Sequence, residues 1–174
     1  GILPIALFGS ATLREKYLPL YSSGRLLPAF ALSEPGAGSD AAAITSTARL
    51  EGDHYVVSGR KTWTSNAGLA DLYIVFARIE GQGDIAAFAV DADTRGLAFE
   101  QRVAVSSPHT VGTWTLNDCR VPVGQLIGAP GQGFKIAMAA LELFRPTVGA
   151  ACLGFARRAL RSEEHTSELQ SRHN

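Results

Sequence analysis

The sequence predicts an α+β protein: an antiparallel β-sandwich or barrel with helices before and after it. Three observations carry this. Residues 26–130 are short runs rich in Val, Ile, Phe, Tyr and Thr, separated by Gly, Asp, Asn and Pro. No helical stretch between those runs is long enough to return the chain for parallel pairing. Residues 1–25 and 131–161 instead repeat their apolar positions at helical spacing. The 174 residues, 46% hydrophobic and 18% charged, suit one soluble globular domain or one and a half small ones. Sixteen Lys+Arg balance sixteen Asp+Glu, so there is no basic field for nucleic acid or an anionic membrane surface. The sequence is expected to hold no apolar run near the ~20 residues that span a bilayer, so no membrane partner is expected.

In chain order, residues 1–25 read as a short helix and a connector. Thr12 and Glu15 fit a capping box, and Leu13, Tyr17 and Leu20 share a helical face. Pro19 is expected to stop that helix near Leu18. Strands are expected at 28–33, 46–51, 54–58, 61–65, 72–79, 85–91, 97–104, 113–117 and 120–122. Gly52-Asp53 reads as a hairpin turn, and Gly81-Gln82-Gly83-Asp84 joins two strongly apolar runs. From 131 the pattern is helical, with Phe134, Ala137, Met138 and Leu141 on one face. Arg145-Pro146 should break the helix, with Pro146 in the first turn of another whose stripe is Val148, Cys152, Phe155 and Ala159. That stripe lacks a partner in the sequence, which implies missing chain or an oligomer interface. Residues 162–174 are polar without an apolar face and read as a disordered or foreign tail, which leaves His165 and His173 without a role. The chain starts with Gly rather than Met and lacks a basic leader region, so a truncated chain without a targeting signal is expected. Cys119 and Cys152, far apart and without CxxC spacing, make neither a disulfide framework nor a zinc site and point to a reducing compartment. No metal site is expected.

Three stretches carry chemistry. In Phe30-Ala31-Leu32-Ser33-Glu34-Pro35-Gly36-Ala37-Gly38-Ser39-Asp40, a strand runs into a loop with two glycines. Its exposed N–H groups and the Ser39 hydroxyl could cradle a pyrophosphate, or the segment is a plain strand-to-loop turn. No helix-period pattern follows, so a Rossmann reading fails. In Ser58-Gly59-Arg60-Lys61-Thr62-Trp63-Thr64-Ser65-Asn66-Ala67-Gly68, Trp63 could lie against a flat ring whose heteroatoms bond the neighbouring hydroxyls. Its alternative is a core tryptophan at a strand end. In Gly131–Met138 and Leu141–Arg145, Glu142 and Arg145 are three apart and can pair, as a site or as a surface ion pair of little worth.

Taken in order, FALSEPGAGSD, GRKTWTSNAGLAD, DCRVP, GAPGQGFKIAM and LELFRP resemble the acyl-CoA dehydrogenase family over residues 10–161. The resemblance implies an N-terminal helical domain ending within 1–25, a middle β-domain at 26–130 binding FAD and acyl-CoA, and first helices of a C-terminal domain at 131–161. The flanking helices would thus belong to incomplete helical domains. It implies oxidation of an acyl-CoA thioester to the trans-2-enoyl-CoA, with hydride passing to FAD N5 and electrons on to an electron-transfer flavoprotein. Phe30, Leu32, Ser33, Gly38, Ser39, Trp63, Thr64 and Ser65 match cofactor-binding positions. Ser39, Glu142 and Arg145 match substrate-side positions, with Glu142 standing where Asp is usual. No residue matches the common catalytic base, so the chain alone is expected to be inactive. A homotetramer or homodimer in the bacterial cytoplasm or mitochondrial matrix is implied for the parent. The family's Lys-x-Gly-x-Arg-x-Ser stretch is replaced at Arg102–Gly112, where His109 reads as an incidental loop histidine. The alternatives are a flavin oxidase or monooxygenase of the same superfamily, which would consume oxygen, and a non-enzymatic β-sandwich interaction module, which would bind no flavin.

Overall fold

The computed structural model describes residues 1–106 and 109–171, with side chains through residue 163. Ser107 and Pro108, within the departing stretch noted above, and residues 172–174 of the tail lie outside the described residues. The chain divides into two units, Gly1–Met138 and Ala139–Asn174.

The first unit opens with two helices, α1 (Leu3–Phe8) and α2 (Ala11–Ser22), where the sequence predicts one. The cap of α2 is Ser10, whose hydroxyl accepts from the Leu13 N–H at 3.2 Å, so the Thr12–Glu15 capping box does not form. Gly9 ends α1 with extended backbone, and the cap must follow at once. Pro19 does not stop α2, which continues to Ser22. Only the Glu15 carbonyl loses its donor, and Glu15 is exposed, so water can replace that bond. Leu13 and Tyr17, four apart, form the buried face. Asp91 holds α2 in place, accepting from Lys16 at 2.8 Å, Tyr17 at 2.7 Å and Gln125 at 2.9 Å.

The sheet is built from β1 (Pro28–Ala31), β2 (Thr47–Glu51), β3 (His54–Ser65), β4 (Leu72–Ile79), β5 (Ile85–Asp91), β6 (Leu97–Val103), β7 (Val111–Pro122) and β8 (Leu126–Ile127). Its order is β6-β7-β3-β2-β4-β5-β8, with β1 also paired to β4. The expected pairs 54–58/61–65 and 113–117/120–122 each merge into one twelve-residue strand. Register shifts between Val57/Gly59 and Lys61/Thr64 interrupt their apolar alternation, which is why each reads as two runs. The expectation of purely antiparallel pairing is corrected: β1–β4 and β2–β4 are parallel. The β2–β3 hairpin itself provides the crossover, so no helix is needed. Gly52, with φ of 62°, makes the expected turn of that hairpin. The sheet curls around one core, since Tyr55 of β3 meets Phe88 of β5 at 5.0 Å and Tyr73 of β4 meets Trp114 of β7 at 4.6 Å between ring centroids.

Helix α3 (Gly133–Ser171) begins in the first unit. Gly133 lies against the backbone of Ile85 and Ala86, leaving no room for a Cβ. Ile136 and Ala137 are buried while Phe134 is exposed, so the inward face is rotated from the one expected through Phe134 and Met138. The expected break at Arg145-Pro146 is absent: α3 runs unbroken with Pro146 inside, and the exposed Glu142 carries the carbonyl that loses its donor. The backbone is helical through 162–171, where a disordered tail is expected from sequence. In the second unit Leu143, Phe144, Val148, Leu153, Phe155 and Leu160 are exposed. By length and composition Gly133–Glu163 could cross a membrane, which corrects the expectation that no such run exists. Glu142 and Arg145 interrupt that run, and both would be costly in hydrocarbon. Both cysteines are free, Cys119 buried and Cys152 exposed.

Candidate functional site

The first motif is anchored by an ion pair that the sequence reading missed. Lys61 is fully buried, and its ammonium donates to Glu34 Oε1 at 2.7 Å, the Phe76 carbonyl at 2.6 Å and the Leu32 carbonyl at 3.2 Å. All three ammonium hydrogens therefore have acceptors. The Glu34 carboxylate also accepts from the Thr45 N–H (2.6 Å) and hydroxyl (2.8 Å), and from the Ser46 N–H (3.0 Å) and hydroxyl (2.5 Å). Gly59 backs onto Ser46 so closely that a Cβ there would collide with the serine side chain. The sequence signal was available: alternation through Tyr55, Val57 and Gly59 assigns Lys61 inward, where a lysine requires an anion.

Burial alone would push the Glu34 carboxyl up, but the Lys61 charge and the bonds from Lys61, Ser46 and Thr45 hold it down at about 2. Burial pulls Lys61 down to about 8 against the attraction of Glu34, and the filled ammonium shell keeps the pair charged at neutral pH. A carboxyl depressed in the fold contributes stability above its unfolded value of 4.5, and that contribution is lost as pH falls toward 2. Glu34→Gln is expected to lose this acid dependence. Its urea midpoint should shift less between pH 5 and pH 2.5 than the unsubstituted chain's, and equal shifts would refute the assignment.

The loop beyond Glu34 is a tight turn, closed by Glu34 N–H to the Ala37 carbonyl at 3.0 Å and Ala37 N–H to the Glu34 carbonyl at 3.1 Å. Gly38 and Ser39 follow, both exposed, with nothing near a Cβ placed on Gly36 or Gly38. Among the described residues, the N–H groups of Gly36, Gly38 and Ser39 and the hydroxyls of Ser33 and Ser39 have no protein partner. Asp40 turns away to cap residues Ala41–Ala43 through the Ala42 N–H. Phe30 packs on Phe76 at 5.0 Å and Leu32 is buried, so the side chains of both serve packing.

The second motif joins the first directly, because the Thr62 N–H donates to the Ser33 carbonyl at 3.0 Å. Trp63 then occupies the bulge between Lys61 and Thr64 with φ of 55°, and it is 61% exposed. The alternative of a core tryptophan is therefore wrong for Trp63; the core tryptophan is Trp114. A left-handed φ on a bulky residue is strained and persists only where its surroundings enforce it. Thr64 is buried and its hydroxyl accepts from Trp114 Nε1 at 3.0 Å. Ser65 Oγ is 2.9 Å from Nε2 of the exposed His109. Glu142 and Arg145 lie in the second unit, both exposed, and no ion pair joins them among the described residues. A groove of about 540 Å³ lined by Thr94, Arg95, Gly96, Asn117, Asp118 and Arg120 contains none of the candidate cofactor- or substrate-binding residues.

An exposed indole at a strained bulge, in a strand bonded to the segment that leads into a loop of unused N–H donors, suits a flat ligand with a polar edge. The family model described as "Acyl-CoA dehydrogenase, middle domain" matches residues 29–118. With that match over half its length, the chain belongs to the acyl-CoA dehydrogenase family. It is 40% identical to the mitochondrial isobutyryl-CoA dehydrogenase of Dictyostelium discoideum over 161 residues, covering 90% of this chain and 39% of that protein. The human mitochondrial short-chain specific acyl-CoA dehydrogenase is 40% identical over 164 residues, with the same coverage of 90% and 39%. Among solved structures, an acyl-CoA dehydrogenase complexed with FAD from Bacillus anthracis superposes with a TM-score of 0.76 at 41% identity, covering 79% of this chain and 24% of that one. The chain thus spans about two fifths of the length of these curated relatives.

Proposed function

We propose that this chain is the middle β domain, residues 26–130, with helical pieces of both neighbouring domains at 1–25 and 131–161, of an FAD-dependent acyl-CoA dehydrogenase. The observation that carries the reading is the junction of the two motifs: Ser33–Thr62 and Glu34–Lys61 tie the segment that leads into the glycine loop to the strand that carries the exposed Trp63 indole.

The donor set fits FAD. The Gly38 and Ser39 N–H groups and the Ser39 hydroxyl suit a pyrophosphate, and the Ser33 and Ser65 hydroxyls suit the polar edge of a flat ring. Trp63 would cover one ring face, while Phe30, Leu32 and Thr64 would contribute main-chain groups only. When bound, FAD accepts the hydride that leaves the β-carbon of an acyl-CoA thioester as the α-proton is lost, giving the trans-2-enoyl-CoA. Fixed donors at Ser33 and Ser65 would favour the negative charge gained on reduction, at no cost in reorganisation. Ser39, and Glu142 and Arg145 in their own unit, would contact acyl-CoA. The proton-removing base is assigned to no residue of this chain. An electron-transfer flavoprotein would be the acceptor of the whole enzyme, which would be a homotetramer or homodimer in a bacterial cytoplasm or mitochondrial matrix.

The test is FAD titration into the purified 174-residue chain, followed by flavin fluorescence, with an acyl-CoA-dependent dye assay alongside. Weak binding that disappears in Trp63→Ala, without turnover, is the expected result. Binding indifferent to Trp63→Ala, or turnover like that of a whole enzyme, would overturn the reading.

A further inference from the structure

We propose that His109 is a positioning residue: its Nε2–H donates to the Ser65 oxygen and so turns the single Ser65 hydroxyl proton outward, toward an acceptor atom of the bound ligand. The inference deepens the flavin reading above and rests on it for the identity of that ligand.

Ser65 ends β3 and pairs with Val111 of β7, while the Asn66 N–H donates to the Thr110 carbonyl at 2.8 Å. Two backbone links therefore fix the residues that follow His109 against the end of β3. The imidazole Nε2 lies 2.9 Å from Ser65 Oγ. Among the described residues, no acidic or basic side chain pairs with the His109 ring.

A serine hydroxyl has one proton. If Nε2 is bare, Ser65 must donate to it and presents only lone pairs to a ligand. If Nε2 carries hydrogen, the ring donates and the Ser65 proton is released outward. The proposed flavin edge decides between these. Ser33, whose carbonyl accepts from the Thr62 N–H three residues before Ser65, carries a hydroxyl without a protein partner among the described residues and offers that edge a donor. A Ser65 turned toward His109 would present lone pairs to the same acceptor-rich edge, whereas an Nε2–H donor makes Ser65 a donor as well. The polarity is a property of the His109 tautomer, which also holds when the ring is doubly protonated.

Two measurements on the full chain test this. The first is the ¹⁵N spectrum of His109 at pH 8.5, above the ordinary imidazole pKa of about 6.5. A protonated-type Nε2 that moves in Ser65→Ala is expected. A bare Nε2, or one indifferent to Ser65→Ala, would overturn the proposal. The second is FAD affinity. His109→Ala should weaken it about five- to tenfold, and His109→Gln, which retains an N–H donor, should restore it to within about twofold. Unchanged affinity in His109→Ala would overturn the proposal, as would failure of His109→Gln to restore it. If the unsubstituted chain binds no FAD, the flavin reading fails, and the nitrogen spectrum alone decides the role of His109.

Discussion

Glu34→Leu is expected to destabilise the chain by about 3–5 kcal/mol, because it leaves the Lys61 ammonium buried without its anion. A domain of this size has a total stability of roughly 5–15 kcal/mol, so much of the population should unfold at 37 °C. Lys61→Met should cost a comparable amount, since the Glu34 carboxylate would then be buried with only neutral donors. The double substitution Glu34→Leu/Lys61→Met should recover most of the loss, because neither charge then needs solvation. Urea midpoints of the four proteins measure the coupling, and simple additivity of the two single losses would show that the pair is not a unit. The consequence for ligand binding is indirect. Glu34 fixes Thr45 and Ser46, Lys61 fixes Leu32 and Phe76, and the Ser33–Thr62 bond depends on both segments remaining in place.

The two tryptophans are expected to separate stability from ligand binding. Trp114→Ala removes a fully buried ring that meets Tyr73 at 4.6 Å and donates to Thr64 at 3.0 Å. The loss should be about 3–5 kcal/mol from the cavity, with the Thr64 hydroxyl left unbonded besides. Trp63→Ala removes a mostly exposed indole that packs against no core, so stability should stay within about 0.5 kcal/mol. FAD binding should respond the other way: abolished in Trp63→Ala under native conditions, and retained by whatever fraction of Trp114→Ala remains folded. Thermal unfolding and flavin fluorescence on the same samples make the comparison. A large loss of stability in Trp63→Ala would mean that its bulge is a structural device rather than a binding one.

Much of the fold was legible. Strand positions followed from alternating Val, Ile, Phe and Tyr runs, and the Gly52-Asp53 turn from residue types that two-residue hairpins require. Both candidate segments stand out in the sequence by the glycines of the first and the hydroxyl-flanked tryptophan of the second. The errors have common causes. Pro19 and Pro146 carry stop signals in the sequence, yet each removes a single bond from an exposed helix face. The sequence predicts antiparallel pairing because it shows no helical crossover, whereas in the fold the β2–β3 hairpin performs that task. The 2.9 Å approach of His109 to Ser65 has no counterpart in the linear sequence, where the two stand 44 residues apart.

What the sequence by itself determined is the order of short-range preferences: which residues favour extended backbone, which turn, and which face of each element is apolar. These depend on neighbours within a few positions of the chain. Tertiary structure alone decided that Lys61 meets Glu34, that Thr64 belongs to Trp114, and that Trp63 stands in solvent while Trp114 does not. Those outcomes depend on strand register and on the bulge between Lys61 and Thr64, which reverses the side of the sheet that the following β3 side chains face.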